Sequence, residues 1–117
     1  IMELEMFLGM SEEEANSNGY RGTDEGSKLA GNSDLWNDGN LENNSEFGTS
    51  GFNGLPAGYR NYTNGAYYYM GNYGYFWSSS EYNSNLAWYR ILNYGNSSVI
   101  RNYGYKQFGF SVRCLGD

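Results

Sequence analysis

An alternation of two kinds of side chain over residues 86–102 constrains this chain more than any other feature. In the stretch LAWYRILN at 86–93, one set of positions carries Trp, Arg and Leu, and the positions between them carry Tyr, Ile and Asn. A period of two sends successive side chains to opposite faces of a β-strand. The sequence therefore predicts strands with one face that supports the fold and one solvent-facing surface rich in Tyr and Asn.

The last third of the chain predicts a small, mainly antiparallel sheet. Strand-like runs are separated there by turns rich in Asn, Gly and Ser, and the runs are Leu86–Leu92, Ser97–Asn102 and Phe108–Leu115. Upstream, Tyr67–Met70 and Tyr75–Ser80 flank a turn at Gly71–Gly74. We expect these two segments to pair as a hairpin.

Three NYG tripeptides mark further candidate turns. They lie at 72–74, 93–95 and 102–104, at unequal intervals that exclude a solenoid repeat. Asn followed closely by Gly suits hairpin tips, so we expect turns at these positions. The Tyr between Asn and Gly makes the same turns candidate binding loops.

The first 16 residues predict two short helices. Leu4, Phe7 and Leu8 are spaced to form one apolar stripe on a helix within residues 2–10. Ser11 precedes three glutamates. Ser is a favoured N-cap residue, and the helix dipole stabilises carboxylates in the first turn. A second helix through Ala15 is therefore expected.

Residues 19–51 predict a long irregular region that is pinned to a core at intervals. Gly, Asn, Ser and Asp dominate it, and the apolar anchors are Tyr20, Leu29, Leu35, Trp36, Leu41 and Phe47. Its acidic residues lack the spacing of a calcium loop, so we expect them to be solvated and predict no metal site. The next segment, GFNGLPAGYR at 51–60, predicts a strand entry into a tight corner anchored by Phe52, Leu55 and Tyr59.

Charge and hydropathy argue against nucleic acid and against the membrane interior as partners. The net charge is -6, with 11 of the 13 acidic residues in residues 1–51 and only two of the seven basic ones. We expect acids of the first part to pair with arginines of the second. The basic residues are dispersed, which argues against nucleic acid as a partner. No apolar run is long enough to span a bilayer, so membrane insertion is not predicted.

The residue types also argue against catalysis. The chain has no His, which excludes His-based acid–base and metal chemistry. Cys114 is the only cysteine and lies in an expected strand, where a buried small hydrophobe is favoured over a nucleophile. We expect Glu81 to form an ion pair with Arg90 or Arg113. The glycines lack a phosphate-loop pattern, and the sequence predicts no enzyme and no cofactor.

Several motifs together resemble the Fibrobacter succinogenes major paralogous domain family. They are ELEMFLGM at 3–10, GTDEGSKL at 22–29, GFNGLPAGYR at 51–60, FWSSSE at 76–81, AW at 87–88 and KQFGFSVRC at 106–114. The resemblance covers essentially the whole chain, so we expect one domain over residues 1–117, as a piece of a longer protein. It implies an α+β, C-type-lectin-like fold with short N-terminal helices, and an extracellular place in a bacterial surface or secreted protein.

A subset of that family consists of variable proteins of diversity-generating retroelements, in which adenine-directed mutagenesis rewrites codons of a ligand-binding face. Mutation of the first two bases of AAC yields Asn, Tyr, Ser, Gly, Ile and Leu among others, but never Trp, Lys, Gln, Glu or Met. Trp88, Arg90 and Leu92 fit the fixed scaffold of the family pattern, and they alternate with residues that this mutation can yield. The expected ligand-binding residues within 82–108 are Tyr82, Asn85, Leu86, Tyr89, Ile91, Asn93, Tyr94, Ser98, Ile100, Asn102, Tyr103 and Tyr105.

The composition of these positions favours binding. Tyr offers rigid, amphipathic contact area, and Ser and Asn adapt their hydrogen bonds, as in antibody paratopes. An exposed cluster of tyrosines usually marks an interaction site. The expected function is a non-enzymatic receptor-binding or adhesin domain on a phage particle or bacterial surface, whose partner is a protein or other surface ligand. The alternative is an undiversified structural module that mediates assembly of a bacterial surface protein.

Overall fold

The computed structural model describes residues 2–112, which form four short helices and six strands. The helices are α1 (Met2–Phe7), α2 (Glu12–Asn16), α3 (Glu25–Leu29) and α4 (Asn40–Asn43), with a 3₁₀ turn at Ser33–Leu35. The strands are β1 (Gly19–Arg21), β2 (Tyr59–Arg60), β3 (Tyr67–Tyr68), β4 (Tyr73–Glu81), β5 (Leu86–Asn93) and β6 (Asn96–Tyr105). This arrangement confirms the α+β class.

The main sheet has four antiparallel strands in the order β1-β6-β5-β4. Strands β5 and β6 form its centre and confirm the runs that the sequence predicts at Leu86–Leu92 and Ser97–Asn102. Strand β1 lies within the segment expected to be irregular. Its three residues pair with Val99, Ile100 and Arg101 of β6.

Two strand predictions are wrong. Strand β4 pairs with β5, and β3 pairs with β2 in a separate two-stranded sheet, so residues 67–80 do not form a hairpin. After β3 the chain turns at Tyr69, whose φ of 64° is left-handed, and the Gly71 N–H bonds to the carbonyl oxygen of Pro56 instead of continuing a ladder with β4. Over residues 108–112 there are only isolated bridges, at Gly109 and Ser111. Residues 113–115 of that run, Cys114 included, lie outside the described residues.

The two N-terminal helices confirm the prediction in outline. Ser11 caps α2, because its Oγ accepts the N–H of Glu14 at 3.1 Å while the Glu14 carboxylate accepts the N–H of Ser11 at 3.3 Å. On α1, Leu4 and Leu8 pack against the core as expected, but Phe7 is 86% exposed. At about 100° per residue the inward arc of this helix is centred on Leu4, Leu8 and Glu5, and Phe7 falls outside it.

The core lies between α3, α4 and one face of the main sheet. Its buried apolar side chains are Leu29, Ala30, Trp36, Leu41, Phe52, Phe76, Leu92 and Val99. The expected anchors Leu29, Trp36, Leu41 and Phe52 are therefore confirmed, and Phe47 packs against them. The expected anchors Tyr20, Leu35 and Leu55 are exposed instead. The Trp36 indole is fixed by donating its Nε1–H to the carbonyl oxygen of Gly31 at 3.0 Å.

A buried carboxylate joins the N-terminal helix to the sheet. Glu5 is fully buried and contacts Arg21 Nη2 at 2.7 Å through Oε1 and Arg90 Nε at 3.0 Å through Oε2. Arg21 also donates to the carbonyl oxygens of Ala15 and Val99. This cluster confirms that an acid of the first part pairs with an arginine of the second, since Arg90 lies in β5.

Candidate ligand-binding site

The main sheet has two chemically distinct faces. The face that packs on the helices, called here the core face, carries Phe76, Arg90, Leu92, Val99 and Arg101, all of them buried. The opposite face, called here the aromatic face, carries the residues between them. The period-two prediction for β5 is confirmed over residues 89–92, because Arg90 and Leu92 are buried while Tyr89 and Ile91 are half-exposed. It is wrong at the start of the strand, where Ala87 is buried and Trp88 is half-exposed, because Trp88 packs against the exposed rings of Tyr82 and Tyr103.

Six of the twelve predicted site residues belong to the aromatic face by the strand register. They are Tyr89, Ile91, Asn93, Ser98, Ile100 and Asn102. Tyr20 of β1 lies opposite Ile100, and its hydroxyl oxygen accepts the Asn93 side-chain N–H at 2.8 Å. Tyr20, which was predicted to be a core anchor, therefore lies on the aromatic face with these predicted site residues.

The other six do not share that surface. Trp88 pairs with Tyr103 and Leu86 with Tyr105, so Leu86, Tyr103 and Tyr105 have the parity of the core face. The expectation of one common tyrosine surface is therefore wrong for Tyr103 and Tyr105. Its cause is that β6 continues unbroken to Tyr105, which keeps odd-numbered residues in phase with buried Val99 and Arg101.

Beyond the core, the sheet ends in a stack of aromatic rings. Tyr82, before β5, lies parallel to Tyr103 with ring centroids 4.0 Å apart, and both are exposed, at 49% and 36%. Trp88 meets both rings edge-on, and Arg101 Cζ lies 3.7 Å from the centroid of the Trp88 ring on its other side. A hydrogen bond with Tyr82 raises the pKa of the Tyr103 hydroxyl. Burial, and then repulsion from Arg21, lowers the pKa of Arg101.

Two predicted site residues serve the scaffold. Ser98 is only 7% exposed and donates its hydroxyl to Asn96 Oδ1. Tyr94, in the turn between β5 and β6, packs against the core, and its carbonyl oxygen accepts the Leu41 N–H at 3.1 Å. Asn85 is exposed in the β4–β5 turn, where its carbonyl accepts the Lys106 N–H.

The three NYG tripeptides differ in conformation. Residues 93–95 do contain a turn, in which Asn93 Oδ1 accepts the Gly95 N–H at 2.9 Å. Residues 72–74 lead from a turn into β4, whereas residues 102–104 lie inside β6. The turn prediction is wrong for residues 102–104, where Gly104 leaves space for the Tyr89 ring. A Cβ there would lie 3.0 Å from Cε2 of the Tyr89 ring.

Sequence analysis missed a cluster of aromatic residues that covers the aromatic face. Tyr75, Trp77 and Tyr89 are joined by rings from outside the main sheet, and the pocket between them has a volume of about 180 Å³ and is lined by Tyr59, Tyr75, Tyr89, Phe108 and Phe110. Burial raises the pKa values of the Tyr75 and Tyr89 hydroxyls, and neighbouring tyrosines raise that of Tyr75 further. The signal was present as alternation, in Tyr73-x-Tyr75-x-Trp77 and Phe108-x-Phe110.

Ion pairs around the site differ from the prediction in one case. Glu81 contacts Lys106 Nζ at 2.6 Å on the surface, and not Arg90, because Glu5 occupies Arg90. Arg113, the other proposed partner, lies outside the described residues. Among residues 2–112, no group of three or more His, Cys, Asp or Glu side chains is placed to hold a metal ion. No helix in that range has the length and apolarity to cross a membrane.

Fold and site define an α+β domain with buried arginines under a Tyr- and Asn-rich sheet. The chain belongs to the Fibrobacter succinogenes major domain family, whose model matches residues 1–115. No curated protein matches the chain, and no solved structure does.

Proposed function

We propose that this chain is a non-enzymatic ligand-binding domain of C-type-lectin-like fold, with a receptor-binding or adhesin role. One observation carries the proposal. On β5 and β6, residues that mutation of an AAC codon can yield, such as Tyr89 and Asn102, alternate with the buried residues Arg90, Leu92 and Arg101. Side chains at the exposed positions can change without opening the core, which is what a diversified surface requires.

Exposed tyrosines at the end of the sheet, outside the aromatic face, also support binding. Tyr82, Tyr103 and Tyr105 expose between 36% and 51% of their surface although all are aromatic. Such rings give contact area at small entropic cost, and adjacent Asn residues supply adaptable hydrogen bonds. The proposed partner is a protein or another ligand on a cell surface. Family membership supports an extracellular place, on a bacterial surface, an appendage or a phage virion.

The proposal assigns no catalysis to the domain. The sequence lacks His, the usual acid–base group near neutral pH. The ionisable cluster of Glu5, Arg21 and Arg90 is buried under the sheet, where Glu5 accepts hydrogen bonds from both arginines.

The decisive experiment is to sequence the DNA around the coding region. We expect a reverse transcriptase gene and a second, near-identical copy of the segment that encodes residues 82–108. The copies should differ at adenines, at codons for exposed positions such as Asn102 and Tyr105, and should agree at Trp88, Arg90 and Leu92. If neither the gene nor the repeat is present, the diversification proposal is wrong.

A protein experiment tests the separation of surface and scaffold. Asn102→Ser and Tyr105→Ser, both exposed, should change the free energy of unfolding by less than about 1 kcal/mol. The control Leu92→Ala, at a fully buried position, should cost about 2–5 kcal/mol. Equal losses from the surface and core variants would contradict a tolerant binding face.

The alternative function is an undiversified module that mediates assembly of a surface protein. Its support is apolar surface outside the proposed variable region, at Phe7, Tyr67 and Met70, which are 86%, 67% and 68% exposed. Assembly through this surface predicts self-association that Phe7→Ser or Met70→Ser abolishes. A domain that sediments as a monomer at all concentrations would leave only the binding function.

A further inference from the structure

The pocket on the aromatic face is built almost entirely from residues outside the proposed variable set. Of its five lining rings, only Tyr89 is among the twelve predicted ligand-binding residues, while Tyr59, Tyr75, Phe108 and Phe110 are not. Its volume of about 180 Å³ far exceeds the ~15 Å³ that holds a single water. The pocket is therefore formed mainly by scaffold residues, and a ligand bound there would go beyond the proposed function.

The rings of the pocket meet as walls. Tyr59 stands at 77° to Phe108 and 88° to Phe110, with centroids 5.5 and 6.2 Å apart. Phe108 and Phe110 are nearly parallel, at 12°, and Tyr89 stands at 74° to Phe110. Tyr75 closes the pocket, stacked on Phe110 with centroids 5.0 Å apart. Rings in two perpendicular orientations present both faces and edges to the space between them.

The electrostatics of this lining favour a cation. The face of an aromatic ring is the negative end of its quadrupole, and several rings around one space attract a positive group there. Within residues 2–112, no charged side chain lines the pocket. Burial raises the pKa values of Tyr75 and Tyr89, so both hydroxyls are neutral and the attraction comes from the rings alone. The net charge of -6 also draws cations to the molecule.

The same protein already uses this interaction at another place. Arg101 Cζ lies 3.7 Å from the centroid of the Trp88 ring, within the ~6 Å range of a cation–π contact. In that contact the face of the Trp88 ring is already occupied by an arginine of the same chain. In the aromatic pocket, among the described residues, no Lys or Arg side chain lines the equivalent space.

We propose that the aromatic pocket of Tyr59, Tyr75, Tyr89, Phe108 and Phe110 binds a quaternary ammonium group. Such a group is cationic and weakly hydrated, and its methyl groups make apolar contacts with ring faces. Arg60 follows Tyr59 in the chain and lines the adjacent depression, which shares Tyr59 and Phe110 with the pocket. The ammonium group therefore occupies the space on the Tyr75 and Tyr89 side, away from that guanidinium.

The test compares a cation with a neutral molecule of the same shape. The intact chain is titrated with choline chloride and with 3,3-dimethylbutan-1-ol, in which carbon replaces the charged nitrogen, at constant ionic strength, and binding is followed by NMR. We expect saturable choline binding with a dissociation constant on the order of 1 mM, and binding of the alcohol at least about tenfold weaker. Equal affinities, or no choline binding, would overturn the proposal.

A variant that keeps apolar volume isolates the role of the rings. Phe110→Leu should weaken choline binding at least about fivefold and change binding of the alcohol by less than about twofold. Phe7→Leu, the same change at an exposed position of α1 outside the pocket, is the matched control and should leave choline binding unchanged. Should Phe110→Leu fail to melt cooperatively, Phe108→Leu replaces it. If the ring variant weakens both probes equally, the pocket is merely apolar and the inference fails.

The outcome is independent of the proposed function. A retroelement next to the gene, together with no choline binding, would support the variable surface and refute the ammonium site. Choline binding without a retroelement would support the ammonium site and refute diversification.

Discussion

Glu5→Gln is the most informative single substitution, because it removes one charge from the centre of the fold at nearly constant volume. The two oxygens of Glu5 accept bonds from Arg21 at 2.7 and 3.0 Å and from Arg90 Nε at 3.1 and 3.0 Å. Gln keeps one of these oxygens and turns a donor NH₂ toward guanidinium donors. It therefore loses the contacts of the other oxygen and leaves two buried arginines without a counter-charge.

The magnitude follows from these contacts. Each charge-assisted hydrogen bond contributes about 1.5–3 kcal/mol, so the loss of two gives about 3–6 kcal/mol. Breaking a buried ion pair from one side costs about 3–5 kcal/mol, which agrees. For a chain of 117 residues this corresponds to a fall in Tm of about 10–20 °C.

The assay is urea unfolding followed by tryptophan fluorescence, with the slope of free energy against urea checked for constancy. Glu3→Gln is the control, since Glu3 lies on the same helix, is exposed and should change stability by less than about 0.5 kcal/mol. A loss below about 1 kcal/mol for Glu5→Gln, with an unchanged slope, would refute the reasoning.

Three further predictions concern the cap, a turn and high pH. Ser11→Ala removes the capping box and should cost about 1 kcal/mol by urea unfolding. Gly58→Ala should cost at least about 2 kcal/mol in the same assay, because φ is +65° and the new Cβ would meet the Tyr68 carbonyl oxygen. Tyr75 and Tyr89 have pKa values raised above those of the unfolded chain, so their contribution to stability is complete below about pH 10 and is lost as pH rises from there toward the folded-state values. Melting temperature should fall above about pH 10, and tyrosinate absorbance should show some groups that ionise only on unfolding; full ionisation of the folded protein near pH 10 would contradict this.

Local chemistry in the sequence sufficed for several elements. Ser11 and its glutamates indicated the start of α2, and the alternation over residues 89–92 indicated β5 and the burial of Arg90 and Leu92, although it failed at Trp88. These signals are local, because capping and strand parity depend on neighbours within a few residues. Strand β4 pairs with β5, the next strand along the chain, and no local signal distinguishes that partner from residues 67–70 on its other side.

The candidate site was predictable where buried and exposed side chains alternate along β5 and β6. The sequence identified Tyr89, Ile91 and Asn102 as one surface, because each alternates with a buried neighbour. It could not place Tyr94 or Ser98, whose burial is due to contacts with segments far away in the chain. Residue type alone does not distinguish a Tyr that packs under a turn from one that faces a partner.

Tyr89 shows why recognition and packing are not fully separable on this sheet. Its ring lies over Gly104, where a Cβ would come within 3.0 Å, and also forms one wall of the aromatic pocket against Phe110. A larger residue at 104 must displace the Tyr89 ring, and loss of that ring opens the pocket. Any diversification of 89 and 104 is therefore coupled through one ring, whereas Asn102 and Tyr105 lack that constraint. The exposed end of β6, where Asn102 lies on the aromatic face and Tyr105 has the parity of the core face, is accordingly the part of the proposed binding region where variation costs the fold least.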